Sequence, residues 1–515
     1  MNSKALPRVE LLLYSVIWVS CSGYAFYTVL IYSLNFQNLN PYDFRDGWSL
    51  IGRKQDISCF EWSAWHEWIK QTWQYYTCHV IISTIIRWKC PMFQQWFYIF
   101  FGLFVLTTVL GTKLAGLILL HCIISNVASM THMRTIIWLV NLGFLSILNI
   151  GQTSDILRKF CGDLITQDTK FQWLVSVYTM TNLKCISFGL DRHTTSMLEE
   201  KAKTDKGKEN IKVSNEKYNF IALLTYTLYL PMMNSGPLLT YDRFYDEVSK
   251  PPRKWTKLKV VNVLKLAGRL IFWYLFIEVL LHFMYFSAIH FSEERLRTMS
   301  LWTLSGIAYS QGQFFMLIYV VMYGLVHLLA KIDDIDTYTG PICISRVYKY
   351  SDMWKYFDRG LYEFLKRHIY IPCGGSRHGL LRRYFGTLLN FSFIFIFHGI
   401  QEHIFIWTAM NFIVLSIEFT MSALSRTMFV ESMKKRMSEQ MLRRVASLMY
   451  IPLLAMSVLA IFSYLSGSKV FFLISDRLLS EGAPVSLIIA GIAMYSLIQI
   501  CVTIELSEKS KDKQL

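Results

Sequence analysis

Asp358 and His398 stand forty residues apart in the stretch MWKYFDRGLYEFLKRHIYIPCGGSRHGLLRRYFGTLLNFSFIFIFH. On a helical wheel Trp354, Asp358, Leu361, Leu365 and His368 share one stripe at spacings of 4, 3, 4 and 3, opposite Lys355, Arg359, Glu363, Lys366 and Arg367. The spacing predicts one helix over 354–368 with its apolar face packed inward. Asp358 lies on that face, where a carboxylate must find partners or shift its pKa upward. Backbone or arginine donors would satisfy it; an acid poised for chemistry is the other reading. His398 ends an apolar run about 22 Å along a helix from Arg383. A neutral imidazole is the usual proton carrier near neutral pH, and a packed histidine is the plainer alternative. Between the two lies a break at Pro372, Gly374 and Gly375. Asp358 approaches from one side of that break and His398 from the other, so a reaction centre between them could be reached from two compartments.

The elements that must hold these groups are membrane helices. Of 515 residues 53% are hydrophobic and 17% charged, and the mean hydropathy is +0.33. Soluble domains carry about 25% charged residues. Apolar runs long enough to span a bilayer recur, the first from Leu11 to Ile31. Others follow near Tyr75–Ile86, Trp96–Leu110, Leu114–Val127, Ile136–Ile150 and Phe171–Leu190. Beyond residue 260 the runs fall near Val263–His290, Leu301–Ala330, Tyr384–Ile400, Ile404–Leu424, Leu448–Leu465 and Val485–Ile504. The segment YNFIALLTYTLYLPMMNSGPLL is broken by Pro231, Asn234, Gly236 and Pro237 and has basic flanks on both sides, which predicts a re-entrant turn. The fold class is therefore an all-α polytopic membrane protein of about 11–12 transmembrane or re-entrant helices around a membrane-spanning reaction cavity.

The chain divides into N-terminal hairpins over 1–190, a loop and re-entrant segment over 191–260, a core over 261–425 and a C-terminal hairpin over 426–515. The net charge of +16 sits in short loops, as the positive-inside rule requires of cytosolic connections, and this argues against a nucleic-acid partner. Both termini then face the cytosol. Residues 331–383 form the largest cytosolic connection, with ten Lys/Arg against six Asp/Glu. Its Lys355 and Arg359, with Arg382 and Arg383, suit a phosphorylated ligand. Glu199–Lys217 reads as a solvated loop, and FEWSAWHEWIK as an aromatic helix at the lumenal interface.

Further polar groups lie at membrane depth. Glu278 and His282 are spaced i,i+4 on one helix face and, with Asn234, are expected to line a cavity or pair with each other. The ten cysteines show no metal or disulfide spacing, and no metal ion is required. Cys343 lies in the juxtamembrane loop. There a cysteine can be inert, carry palmitate or ligate haem iron, and all three readings stay open. Asn390 opens the sequon NFS inside a span, so no glycan is expected. The terminal KDKQL resembles a dilysine retrieval signal, which would keep the chain in the endoplasmic reticulum membrane, with the Golgi as the neighbouring compartment. A merely polar tail is the other reading.

MWKYFDRGLYEFL, IYIPCGGSRHGL and the embedded FHG together resemble the core of the membrane-bound O-acyltransferase family. LPRVELLLYS, FEWSAWHEWIKQ, the NSGP break and CISRVYKYSDMWKYFD extend the likeness over nearly the whole chain, toward the branch that acylates hedgehog-type secreted signals. The resemblance implies that His398 is the family's essential histidine and that Asp358 is that branch's acidic position. It implies palmitoyl-CoA as donor, entering from the cytosol. The acceptor it implies is the α-amine of an N-terminal cysteine on a hedgehog-type protein in the lumen. His398 is then the general base that takes the amine proton, and Trp354 a gate or wall beside the donor. The rival readings are O-acylation of a lipid or serine hydroxyl, and a non-catalytic scaffold or transporter using the same pair as a proton relay.

Overall fold

The computed structural model describes residues 5–36, 40–149, 168–204 and 217–511. Most of the solvated loop over 199–217, the end of the Ile136–Ile150 run and the last residues of KDKQL lie outside them. Among the described residues nine helices are long and apolar enough to cross a membrane. The protein is an all-α polytopic membrane protein. Its one sheet there is a two-residue antiparallel pair, β1 (Phe44–Arg45) with β2 (Gln55–Asp56).

In chain order, α1 (Arg8–Leu34) is followed by the β1–β2 strap and the long α2 (Phe60–Lys89). Then come α3 (Gln94–Leu110), α4 (Thr112–Met130), α5 (Arg134–Asn149) and α6 (Asp168–Thr204). The predicted break follows. Helix α7 (Phe220–Leu228) gives way to a tight turn at Leu230–Met232 and non-helical chain before α8 (Tyr241–Val248). Backbone polar groups freed inside a bundle need internal partners. Lys184 of α6 supplies two donors, to the Met232 carbonyl at 2.8 Å and the Thr227 carbonyl at 3.3 Å. The Ser187 hydroxyl accepts from the Tyr241 N–H at 2.9 Å.

Helix α9 (Lys257–Phe283) and the short α10 (Phe286–His290) and α11 (Glu293–Thr298) lead to α12 (Leu301–Ile332). More than half of α12's apolar stretch, 56%, is buried within the protein, against 6% for α1 and α9. Helix α12 is therefore the central post, and α1 and α9 turn their apolar surface outward. At its basic end the Asp333 carboxylate accepts from Tyr229 at 2.8 Å and Ser83 at 2.7 Å and meets His79 at 2.9 Å. This network ties α2 and the broken segment to the post.

The helix predicted over 354–368 is interrupted. Helix α13 (Tyr350–Phe357) ends at Asp358 (φ −124°, ψ 88°), which in turn caps α14 (Arg359–Leu365). The reason is local. Aspartate side chains compete with helical hydrogen bonding and favour N-cap positions, and here Asp358 Oδ1 accepts the Leu361 N–H at 2.9 Å. Helix α14 passes into a π-helical turn, Lys366–Tyr370. A Cβ at Gly360 would run into the Leu238 carbonyl, so only glycine lets α14 lie against the broken segment. The remaining helices are α15 (Leu380–His398), α16 (Glu402–Leu424), α17 (Met428–Lys435), α18 (Glu439–Asp476) and α19 (Val485–Lys511).

Candidate active site

His398 is the last residue of α15. Gly399 follows with φ 108°, a left-handed conformation that stops the helix and that side chains with a Cβ resist. The imidazole thus stands at a helix end. Its Nδ1 lies 3.4 Å from the Tyr464 hydroxyl, and its ring meets Trp407 and Tyr464 edge-on at 5.3 and 5.5 Å. With Nδ1 turned to Tyr464, Nε2 is the nitrogen left open among the described residues.

Asp358 meets α12 at Tyr323. Its Oδ2 accepts from the Tyr323 hydroxyl at 2.7 Å. Burial pushes the Asp358 carboxyl above its ordinary pKa, opposed by the Leu361 and Gly360 N–H groups and by Tyr323. The bland reading of the sequence, an acid satisfied by backbone donors, describes part of what Asp358 does.

Two aromatic paths join the pair. One runs from Tyr323 to Tyr319 (5.0 Å), Phe315 (4.9 Å) and Tyr464 (5.8 Å), which faces His398. The other starts at Trp354, one turn before Asp358, and passes through Trp407 at 5.7 Å to His398. Asp358, Trp354, Tyr319, Trp407, Tyr464 and His398 each keep partial exposure in the midst of the bundle.

The structure adds a carboxylate that sequence reasoning passed over. Glu61, in the first turn of α2, accepts from the Tyr319 hydroxyl at 2.7 Å. FEWSAWHEWIK read as an interfacial aromatic helix, and nothing in its spacing marks the side chain that turns inward. Tyr319 and Tyr464 were equally silent, as aromatics within apolar runs.

The other predicted positions separate. Lys355 and Arg359 are exposed, their cations over Tyr356 at 4.8 Å and Tyr338 at 5.2 Å. Arg382 is exposed, while Arg383 stacks its guanidinium 3.4 Å over Phe419. Asn234 is buried in the break, and its Oδ1 has no hydrogen-bond donor among the described residues.

Glu278 and His282 do not pair through their side chains. Glu278 accepts from Gln55 at 2.8 Å and Trp62 at 3.1 Å; His282 Nδ1 meets the Glu278 carbonyl at 2.7 Å, and its Nε2 accepts the Trp48 N–H at 2.9 Å. Both anchor the β1–β2 strap at the end of the bundle away from the basic loops.

Cys343 is exposed on the loop between α12 and α13, before the tight turn Ile344–Arg346. A haem would take one thiolate ligand there. The residues around Cys343 include Tyr309, Ser345 and Cys501, and Cys501 Sγ lies 3.3 Å from the Ser345 carbonyl. Cys343 is exposed to the outside and does not stand in the enclosed setting a haem macrocycle needs. Among the described residues no group of three or more His, Cys, Asp or Glu side chains could hold a metal ion.

A histidine at a helix end and an acid at a helix break, joined by aromatic strips inside a membrane bundle, agree with comparison to known proteins. Residues 120–463 match the MBOAT family, membrane-bound O-acyltransferases. The chain belongs to that family. It is 28% identical to the protein-cysteine N-palmitoyltransferase HHAT of Mus musculus over 84% of this chain and 85% of that one. It is 28% identical to the protein-cysteine N-palmitoyltransferase Rasp of Drosophila melanogaster, over 80% of this chain and 78% of that one. The protein-cysteine N-palmitoyltransferase HHAT-like protein of Mus musculus is 26% identical over 96% of this chain and 95% of its own. As a family member the chain is an acyltransferase, and the matched residues include Asp358 and His398.

Proposed function

We propose that the protein transfers palmitoyl from palmitoyl-CoA to the α-amine of an N-terminal cysteine on a hedgehog-type secreted protein. The observation that carries this reading is the joined pair, Asp358 and His398, in a chain whose similarity to two protein-cysteine N-palmitoyltransferases covers at least 80% of its length. The donor enters at the basic end, taken as cytosolic, where the exposed Lys355, Arg359 and Arg382 can meet phosphates. The acceptor arrives at the opposite, lumenal end. The membrane is that of the endoplasmic reticulum.

The amine nitrogen attacks the thioester carbonyl, the carbon–sulfur bond breaks, and the products are an amide and the CoA thiol. One amine proton must leave. In the tautomer whose Nδ1–H donates to the Tyr464 oxygen, His398 Nε2 is an acceptor and takes that proton. Asp358 acts by position: its bonds to Leu361 and Tyr323 fix the helix break and Trp354 beside the thioester. Glu61, held by Tyr319, meets the acceptor as an ammonium before it loses its proton.

The test is purified protein with labelled palmitoyl-CoA and three peptides: one with an N-terminal cysteine, the same peptide N-acetylated, and one with an N-terminal serine. Label is expected on the first alone, as a hydroxylamine-resistant amide, and only with His398 present. Equal labelling of the acetylated or serine peptide, or label that survives His398→Ala, would count against this reading and favour the hydroxyl-directed one.

A further inference from the structure

Asn411, in the middle of α16, is 1% exposed and makes three hydrogen bonds with its carboxamide. Its Oδ1 accepts the Trp354 indole N–H at 2.7 Å and the Tyr350 hydroxyl, and its Nδ2 donates to the Trp407 carbonyl. Tyr350 and Trp354 lie i,i+4 on one face of α13, so a single side chain docks that face. One turn-pair further along α16, Glu418 accepts from the Ser351 N–H and hydroxyl and fixes the start of α13. The indole so held packs edge-on against Phe391 at 5.0 Å and beside Trp407 at 5.7 Å; Trp407 touches His398.

The chemistry gives this arrangement a consequence. A thioester beside a general base can be attacked by water as well as by an amine. Water yields the free fatty acid and the CoA thiol, and the donor is wasted. A strip of aromatic carbon offers water nothing to bind. The one polar atom of the Trp354 ring, its N–H, is turned into the α13–α16 contact and capped there. Without that acceptor the N–H is a buried donor with no partner, and the ring gains by turning it toward water.

On the donor reading above, we infer that Asn411 is a positioning residue that holds the Trp354 indole as a dry wall along the thioester's path, so that donor cleavage stays coupled to acceptor attack. Asn411 touches neither substrate in this role; it acts through Trp354.

The experiment compares Trp354→Phe, which keeps a ring and loses the N–H, with Asn411→Leu and the double variant, in the full-length protein. Free CoA is measured with palmitoyl-CoA alone, and acylated peptide with both substrates. Each single variant should raise the ratio of acceptor-independent CoA release to transfer about tenfold, the scale of one buried hydrogen bond. The double variant should go no further than either single one, because both remove the same bond. A ratio that stays at the wild-type value in Trp354→Phe overturns the inference, as do effects that multiply in the double variant. Should Asn411→Leu fail to fold, Trp354→Phe decides alone. Wild-type protein that neither acylates peptide nor releases CoA would instead sink the donor reading, and the coupling role with it.

Discussion

Glu278 with His282 and Asp358 with His398 each set an acid and a histidine in the bundle, and they lead opposite lives. Glu278 and His282 sit on adjacent turns of α9, 2% and 0% exposed. The Glu278 carboxylate faces Gln55, Trp62, His66 and Arg45, and both nitrogens of His282 are engaged. His282 is thereby held at both ends, Nδ1 against the Glu278 carbonyl and Nε2 accepting the Trp48 N–H. Asp358 and His398 come from separate helices and keep partial exposure, and His398 has one long contact at Nδ1. An ionisable group inside a membrane is costly, and the cost can be offset by full pairing or accepted for the sake of chemistry. The first two groups are fully engaged and hold the strap; the second two leave His398 Nε2 open among the described residues.

That contrast makes its sharpest prediction at His398 and Glu278. His398→Ala should cut acyl transfer by about 10²–10⁴-fold, the range of a lost general base, while the thermal midpoint of the purified protein stays where it was. Next in size is Glu278→Ala, which strands the Gln55 amide and the Trp62 N–H in a buried place. It should cost about 2–3 kcal/mol of stability, read as a lowered thermal midpoint, with transfer per folded molecule unchanged. Lost transfer at full stability in Glu278→Ala would erase the distinction between the pairs.

Much of this was legible in sequence. The apolar runs, the broken segment around Pro231 and the basic loops follow from hydropathy and from the backbone's need for partners, which are local properties. The stripe through Trp354, Asp358 and Leu361 found the inward acid. It missed the interruption, because a helical wheel assumes a helix and Asp358 ends one. The spacing of Glu278 and His282 correctly put them on one face, yet suggested a cavity. Their partners, Gln55, Trp62 and Trp48, lie more than 200 residues away in sequence. Glu61 and Asn411 were invisible for the same reason. A carboxylate in an aromatic helix and an amide in an apolar run acquire meaning only from what α12 and α13 bring to them.

Glu61 tests whether the open site has a lumenal side of its own. Glu61→Gln keeps an acceptor for the Tyr319 hydroxyl and removes the charge. The KM for the acceptor peptide should rise about tenfold, the scale of a hydrogen bond to a charged group, with the KM for palmitoyl-CoA unmoved. A change confined to the donor's KM would put Glu61 on the wrong side of the site.

The smallest expected effect separates position from chemistry at Asp358. Tyr323→Phe removes one hydroxyl from Oδ2 and leaves the Leu361 cap intact. If Asp358 works by holding the helix break, losing one of its bonds should cost about 1 kcal/mol, roughly a fivefold fall in transfer. Asp358→Asn, which keeps a cap oxygen, should then lose little more in the Tyr323→Phe background than alone. If Asp358 instead carries a proton, Asp358→Asn should be far worse than Tyr323→Phe, and the two should shift the pH dependence of transfer differently. Measured rates for the two single variants and the double variant distinguish these outcomes. In the first case the open pair reduces to one histidine doing chemistry and one acid that, like Glu278, holds a shape.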